Sequence, residues 1–154
     1  MFRVATHDPR RHLVDWLAAM RCLWYPVDLD PALNPSPDPR ALLAAQCTVG
    51  TETLLLQHDL ENRPDHARVV CVLGPLPGRD SLPMLLSLLQ ANLLIALRGR
   101  SAVLGLEAGA DAVCLTDDLS LAEGAEAAFR VNLHHLASQP GRWRSGQLFP
   151  EDWT

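Results

Sequence analysis

Clustered positive charge is missing from this 154-residue sequence, whose formal net charge is −5. Its positive charge lies in small arginine groups, Arg10/Arg11, Arg98/Arg100 and Arg142/Arg144. A nucleic-acid surface needs basic residues massed on one face, so nucleic acid is not expected as the main partner. Paired cysteines are missing too. Cys22, Cys47, Cys71 and Cys114 stand far apart with no CxxC spacing, and three of them lie inside apolar runs. That pattern predicts buried free thiols in a reducing cytoplasm rather than a disulfide framework. The opening MFRVATHDPRR holds no apolar signal core. The greasiest stretch, Leu85 to Leu97, carries Gln90 and Asn92 and is too short to cross a hydrocarbon layer of about 30 Å. No membrane insertion is expected.

Catalytic signatures are equally scarce. There is no GxSxG elbow, no P-loop and no GxGxxG, and the GPLPG from Gly74 to Gly78 has prolines where a phosphate would need amides. No HxxxH pair exists, and His134 and His135, being adjacent, would point about 100° apart on a helix. Asp117-Asp118 reads as a turn leading into a helix, while Glu107 and Asp111 flank a second turn. No carboxylate pair faces a legible pocket. The expectation is a protein that is not an enzyme and uses neither metal nor cofactor.

What is present is apolar residue in excess, 48% against 20% charged, enough to give one core and one domain over residues 1–154. Asp8 and Pro9 suit a helix start, and Leu13, Trp16, Leu17, Met20 and Trp24 recur at helical steps, predicting a first helix over His12 to Trp24. Five prolines between Tyr25 and Arg40 predict an extended connection. Three strands follow: an alanine-rich one over Leu42 to Val49, one over Thr51 to Leu60, and one over Arg68 to Leu76. The third is apolar on both faces, as in a strand covered on both sides.

Ser81 to Leu97 reads as the middle helix, capped by Asp80 or Ser81 and ended by Gly99. Thirteen of its seventeen positions are apolar, more than one stripe requires. Ser101 to Glu107 and Ala112 to Thr116 form a hairpin through Ala108-Gly109-Ala110-Asp111. Ser120 and Glu123 read as a capping box opening a last helix from Leu121 to about Ser138, stopped by Pro140-Gly141. The tail from Gly141 to Thr154 reads as loose, with Trp143 and Trp153 able to dock. The fold class is therefore α+β, order α-βββ-α-ββ-α, with a twisted, mainly antiparallel sheet and helices packed on it. The surplus on the middle helix points to a second copy of the chain, because a two-fold makes one patch complementary to itself.

That order, together with Leu89-Gln90-Ala91-Asn92-Leu93, Leu104-Gly105-Leu106 and Leu119-Ser120-Leu121, resembles the class I type III secretion chaperones (the Tir chaperone family). The resemblance covers roughly residues 12–138, and the connection over 25–40 is longer than the family pattern. It implies a homodimer in the bacterial cytoplasm that binds the extended N-terminal segment of a secreted effector, with a secretion ATPase as a candidate further partner. On that reading the effector groove is assigned to Leu13, Trp16, Leu17, Met20 and Trp24, with Leu55 on the adjoining strand. The dimer contact is assigned to Leu85, Leu88, Leu89, Asn92 and Leu93, with Val103, Leu104 and Leu106. Asn92 would either pair across the two-fold or bond local backbone. The alternative is a small adaptor or immunity-type protein of similar architecture that binds a folded partner.

Overall fold

A computed structural model describes residues 8–27, 40–76, 81–107 and 111–147. Three helices accompany one six-stranded antiparallel sheet: α1 Pro9–Ala19, β1 Leu23–Pro26, β2 Leu42–Val49, β3 Glu52–Asp59, β4 His66–Pro75, α2 Ser81–Leu97, β5 Val103–Leu106, β6 Ala112–Ser120 and α3 Glu126–Arg144. The strand order is β1-β2-β3-β4-β6-β5. The α+β class stands. One strand, β1, was not foreseen.

α1 and α3 share one face of the sheet. Leu13, Trp16 and Leu17 from α1 meet Phe129, Leu133 and Leu136 from α3 in a core whose floor is Cys47, Leu54, Leu56, Val69, Cys71 and Leu115. The Trp16 and Phe129 rings lie 5.4 Å apart and tilted by 53°, a favourable aromatic geometry. Alternation along β4 sends Ala67, Val69, Cys71 and Leu73 into this core and Arg68, Val70 and Val72 to the other face. Val72 is exposed there. The strand is thus covered by helices on one side only, against the expectation of two.

Four sequence expectations need correction. α1 stops at Ala19 because Arg21 turns left-handed (φ 54°), with Arg21 N–H on the Ala18 carbonyl and Cys22 N–H on the Leu17 carbonyl. This is the double-bonded helix end usually made by glycine. Trp24 therefore sits in β1, opposite Cys47, and kept its helical spacing only because both elements face the same core. The connection of 25–40 begins as strand: Tyr25 and Pro26 pair with Gln46 and Ala45 on an edge, where proline is tolerated. Residues 28–39 of that connection lie outside the described residues.

The expected capping box is not formed. Asp117 and Asp118 are interior to β6, the Ser120 hydroxyl accepts from the Ala122 N–H, and α3 begins only at Glu126. Finally, α3 runs through Pro140 to Arg144. Proline has no N–H for the carbonyl four residues back; here that carbonyl, Leu136, accepts from the Cys71 thiol at 3.4 Å. Burial pushes the Cys71 thiol up to about 12, aided by Glu52 and Cys114 and opposed by Arg144, so it keeps the proton it donates.

The longer α3 carries Trp143 into the core, so residues 141–145 are not loose. The ring lies against Gly74, where φ is +145° and an added Cβ would come within 3.1 Å of it. Only glycine fits there. The strand pairing shifts register between Val72 and Gly74 at the same place. The 108–110 turn, the Asp80 and Ser81 cap side chains, and Trp153 lie outside the described residues.

Candidate functional site

The candidate site is an apolar surface built on α2. The helix ends as expected at Gly99 (φ 68°), with Arg100 N–H on the Ile95 carbonyl and Gly99 N–H on Ala96. It seats on the rest of the chain through a narrow stripe, buried Leu88, Ala91 and Ile95 with half-buried Met84 and Leu85. The opposite side carries Leu82, Leu86, Leu89, Leu93, Leu94 and Leu97, all more than half exposed. Val103 and Leu106 on neighbouring β5 are exposed as well. Fully burying one leucine is worth roughly 1.5–3 kcal/mol, so six leave on the order of 10 kcal/mol of unrealised stabilisation.

Asn92 fixes α2 against β5. Its side-chain amide donates to the Leu104 carbonyl at 2.8 Å, and its side-chain oxygen accepts from the Leu104 N–H at 2.8 Å. Of the two roles open to Asn92 in the sequence, the structure places it on local backbone. Both backbone groups of Leu104 point away from β6, so the amide fills part of the sheet's outer edge. An unprotected edge of this kind is a template for unwanted strand pairing.

Of the residues assigned to a dimer contact, Leu89, Leu93, Val103 and Leu106 are exposed, and Leu85 and Asn92 are half-buried. Leu88 and Leu104 are inside the chain's own core and have no surface to offer a partner. Leu88 seats α2 on its own chain, and Leu104 faces inward from β5.

The groove assignment divides in the same way. Leu13, Trp16 and Leu17 are buried beneath α1, because that helix lies beside α3 instead of facing outward. Met20 and Trp24 are half-buried against the core, and Leu55 is half-buried on the opposite sheet face. What the sequence reading missed is β1, where Leu23 and Tyr25 are exposed at the edge. Among the described residues no strand pairs with its outer side. The signal was present in Leu23-Trp24-Tyr25, an apolar and aromatic run ahead of a proline.

Two polar clusters hold the ends of this framework. Arg10 of α1 donates to the carbonyls of Arg40, Ala41 and His58 and, at 3.5 Å, to His58 Nδ1. His58 is fully buried and donates from Nε2 to the Pro64 carbonyl at 2.8 Å. Burial holds His58 below the ordinary histidine range and outweighs the Pro64 bond; Arg10 acts in the same direction as burial, and Asp59 and Asp8 oppose it.

On the open sheet face, Asp118 accepts from Arg63 and from Arg68, the latter at 3.0 and 3.3 Å. Burial alone would raise Asp118, but the Arg68 and Arg63 bonds and charges hold it below the ordinary carboxylate range. With both arginines on one carboxylate, this cluster is structural in character.

Among the described residues no group of three His, Cys, Asp or Glu is placed to hold a metal ion, and no helix is long and apolar enough to cross a membrane. All four cysteines are free. No protein-family profile matches the chain, and no curated protein sequence matches it.

Proposed function

We propose that the protein is a class I type III secretion chaperone, a homodimer that holds the extended N-terminal segment of a secreted effector in the bacterial cytoplasm without catalysis. The observation that carries this reading is the outward face of α2, six exposed leucines on a helix already seated by its other side. A two-fold that packs α2 against its twin covers that face with one self-complementary contact. A standard interface removes about 1,600 Å² in total from water. Leu89, Leu93 and Leu106 are the residues we assign to it, with Val103 at its margin.

The effector is assigned to the other end of the sheet. An unfolded segment gains affinity by adding a strand through main-chain hydrogen bonds while its apolar side chains enter neighbouring pockets. β1 offers the outer edge, with Leu23 and Tyr25 exposed and Met20 and Trp24 half-buried beside them. β5 is less suited, because Asn92 already occupies Leu104. Ordering such a segment loses about 2–5 kcal/mol, which an apolar, pre-formed edge must outweigh.

The test uses a secreted protein encoded beside this chain. Its isolated N-terminal segment is expected to bind the purified dimer in calorimetry, and Tyr25→Asp, which puts a carboxylate on the exposed apolar edge beside Leu23, is expected to weaken it. Binding of the folded domain alone, with none of the N-terminal segment, would replace the chaperone reading with that of an adaptor.

A further inference from the structure

Independently of the partner reading, we infer that Cys22 and Cys47 form a modification site, a thiol pair that a small-molecule disulfide such as glutathione disulfide converts to an intramolecular disulfide. The backbone places them together. Trp24 stands opposite Cys47 in the β1–β2 pairing, and extending the pleat back past Leu23 puts Cys22 on the same face, diagonal to Cys47. The left-handed Arg21 and the bond from Cys22 N–H to the Leu17 carbonyl at 3.3 Å fix the chain at this point. Cys22 packs against the core that contains Cys47. Bond formation needs the sulfurs to close to about 2 Å, which for a diagonal pair requires the edge strand β1 to shift toward β2.

The pair is also asymmetric in the way stepwise oxidation requires. Cys22 is half-exposed, whereas Cys47 is fully buried. Burial pushes the Cys47 thiol up to about 12, with the neighbouring Cys22 charge and hydrogen bond acting in the same direction. The oxidant therefore meets Cys22 first.

In the first step the Cys22 thiolate attacks one sulfur of glutathione disulfide, forming a mixed disulfide and expelling glutathione thiolate, which takes up the proton Cys22 lost. In the second, Cys47 loses its proton and attacks the Cys22 sulfur, expelling a second glutathione that takes up that proton. Two protein thiols are oxidised, and one external disulfide is reduced to two thiols. The second step is the slow one, because so little of Cys47 is thiolate at neutral pH.

The other two cysteines have no such arrangement. Cys71 and Cys114 point to opposite faces of the sheet, and Cys71 is engaged with Leu136. Closure of Cys22 on Cys47 would tie the end of α1 and the edge strand to β2, the region that carries Leu23 and Tyr25.

The experiment treats the folded, full-length protein with glutathione disulfide, blocks residual thiols with N-ethylmaleimide and follows intact mass over time. The expected course is a glutathione adduct on Cys22, then a species about 2 Da lighter than the reduced chain, with fragmentation joining Cys22 to Cys47. Cys47→Ser is expected to stop at the Cys22 adduct, and Cys22→Ser to leave Cys47 unreacted over the same time. A wild-type protein that remains at the Cys22 adduct, or that links two chains through Cys22, overturns the inference. So does oxidation of Cys47 at an unchanged rate in Cys22→Ser.

Discussion

Asn92 and Leu104 are joined by two hydrogen bonds of 2.8 Å, one in each direction, so a single side chain satisfies both backbone groups of an edge-strand residue. Asn92→Leu keeps the approximate size and removes both bonds. Each buried group left without a partner costs about 1–3 kcal/mol. The expected result is a lower urea midpoint with an unchanged slope, together with faster hydrogen exchange at the Leu104 amide. An exchange rate at Leu104 equal to the wild type would show that the amide is protected by something else.

Cys71 and Pro140 are linked through the Leu136 carbonyl. Cys71→Val leaves that carbonyl with neither a thiol nor a helical N–H, and is expected to cost about 1–2 kcal/mol. Pro140→Ala supplies the missing N–H from within α3. In a double-mutant cycle, Cys71→Val is therefore expected to cost less in the Pro140→Ala background than alone. Strict additivity would mean that the thiol and the restored N–H do not compete for the Leu136 carbonyl.

His58 makes stability depend on pH. Its folded-state pKa is depressed, first by burial and then by Arg10, so the unfolded chain binds more protons than the folded one between the two values. The contribution is fully present above the ordinary histidine value of about 6.5 and is lost as pH falls below it, by up to about 1.4 kcal/mol per pH unit. Asp59 and Asp118 act lower: both are depressed below the ordinary 3.8, so their contributions are lost only under more acidic conditions. Urea unfolding at pH 7.5 and 5.5 is expected to show a loss in the wild type and a smaller one in His58→Gln, whose amide retains a donor for Pro64. Equal losses in both proteins would remove His58 from this role.

The chaperone resemblance assigns Trp16 to an effector groove, and the structure seats it on Phe129. Trp16→Asp is accordingly expected to unfold the chain, since it places a carboxylate in the core. A folded Trp16→Asp by circular dichroism would return the residue to the surface.

Much of the architecture was legible because two signals agreed over long stretches. A long apolar run ended by Gly99 located α2 correctly, alternation located β3, and apolar runs bounded by turn residues located β2, β4, β5 and β6 to within a few residues. The errors fell where a local signal had two physical readings. Trp24 kept helical spacing while lying on a strand, and Ser120 with Glu123 had the composition of a cap while Ser120 ended β6. Pro140 would stop an isolated helix, but a thiol sixty-nine positions away in the sequence removes the penalty that makes it a stop.

Within the candidate surface, the apolar surplus of α2 was visible, but which leucines face outward was not. A helix apolar nearly all round has no moment to orient it. Only the seating of Leu88, Ala91 and Ile95, fixed by Asn92 on Leu104, separates its two sides.

The outward leucine face of α2 is best tested by light scattering coupled to gel filtration on the purified full-length chain. The account predicts a mass twice that of one chain at micromolar concentration, and a folded monomer for Leu89→Asp with its circular dichroism unchanged. A wild-type monomer, or a dimer that survives both Leu89→Asp and Leu93→Asp, would contradict it.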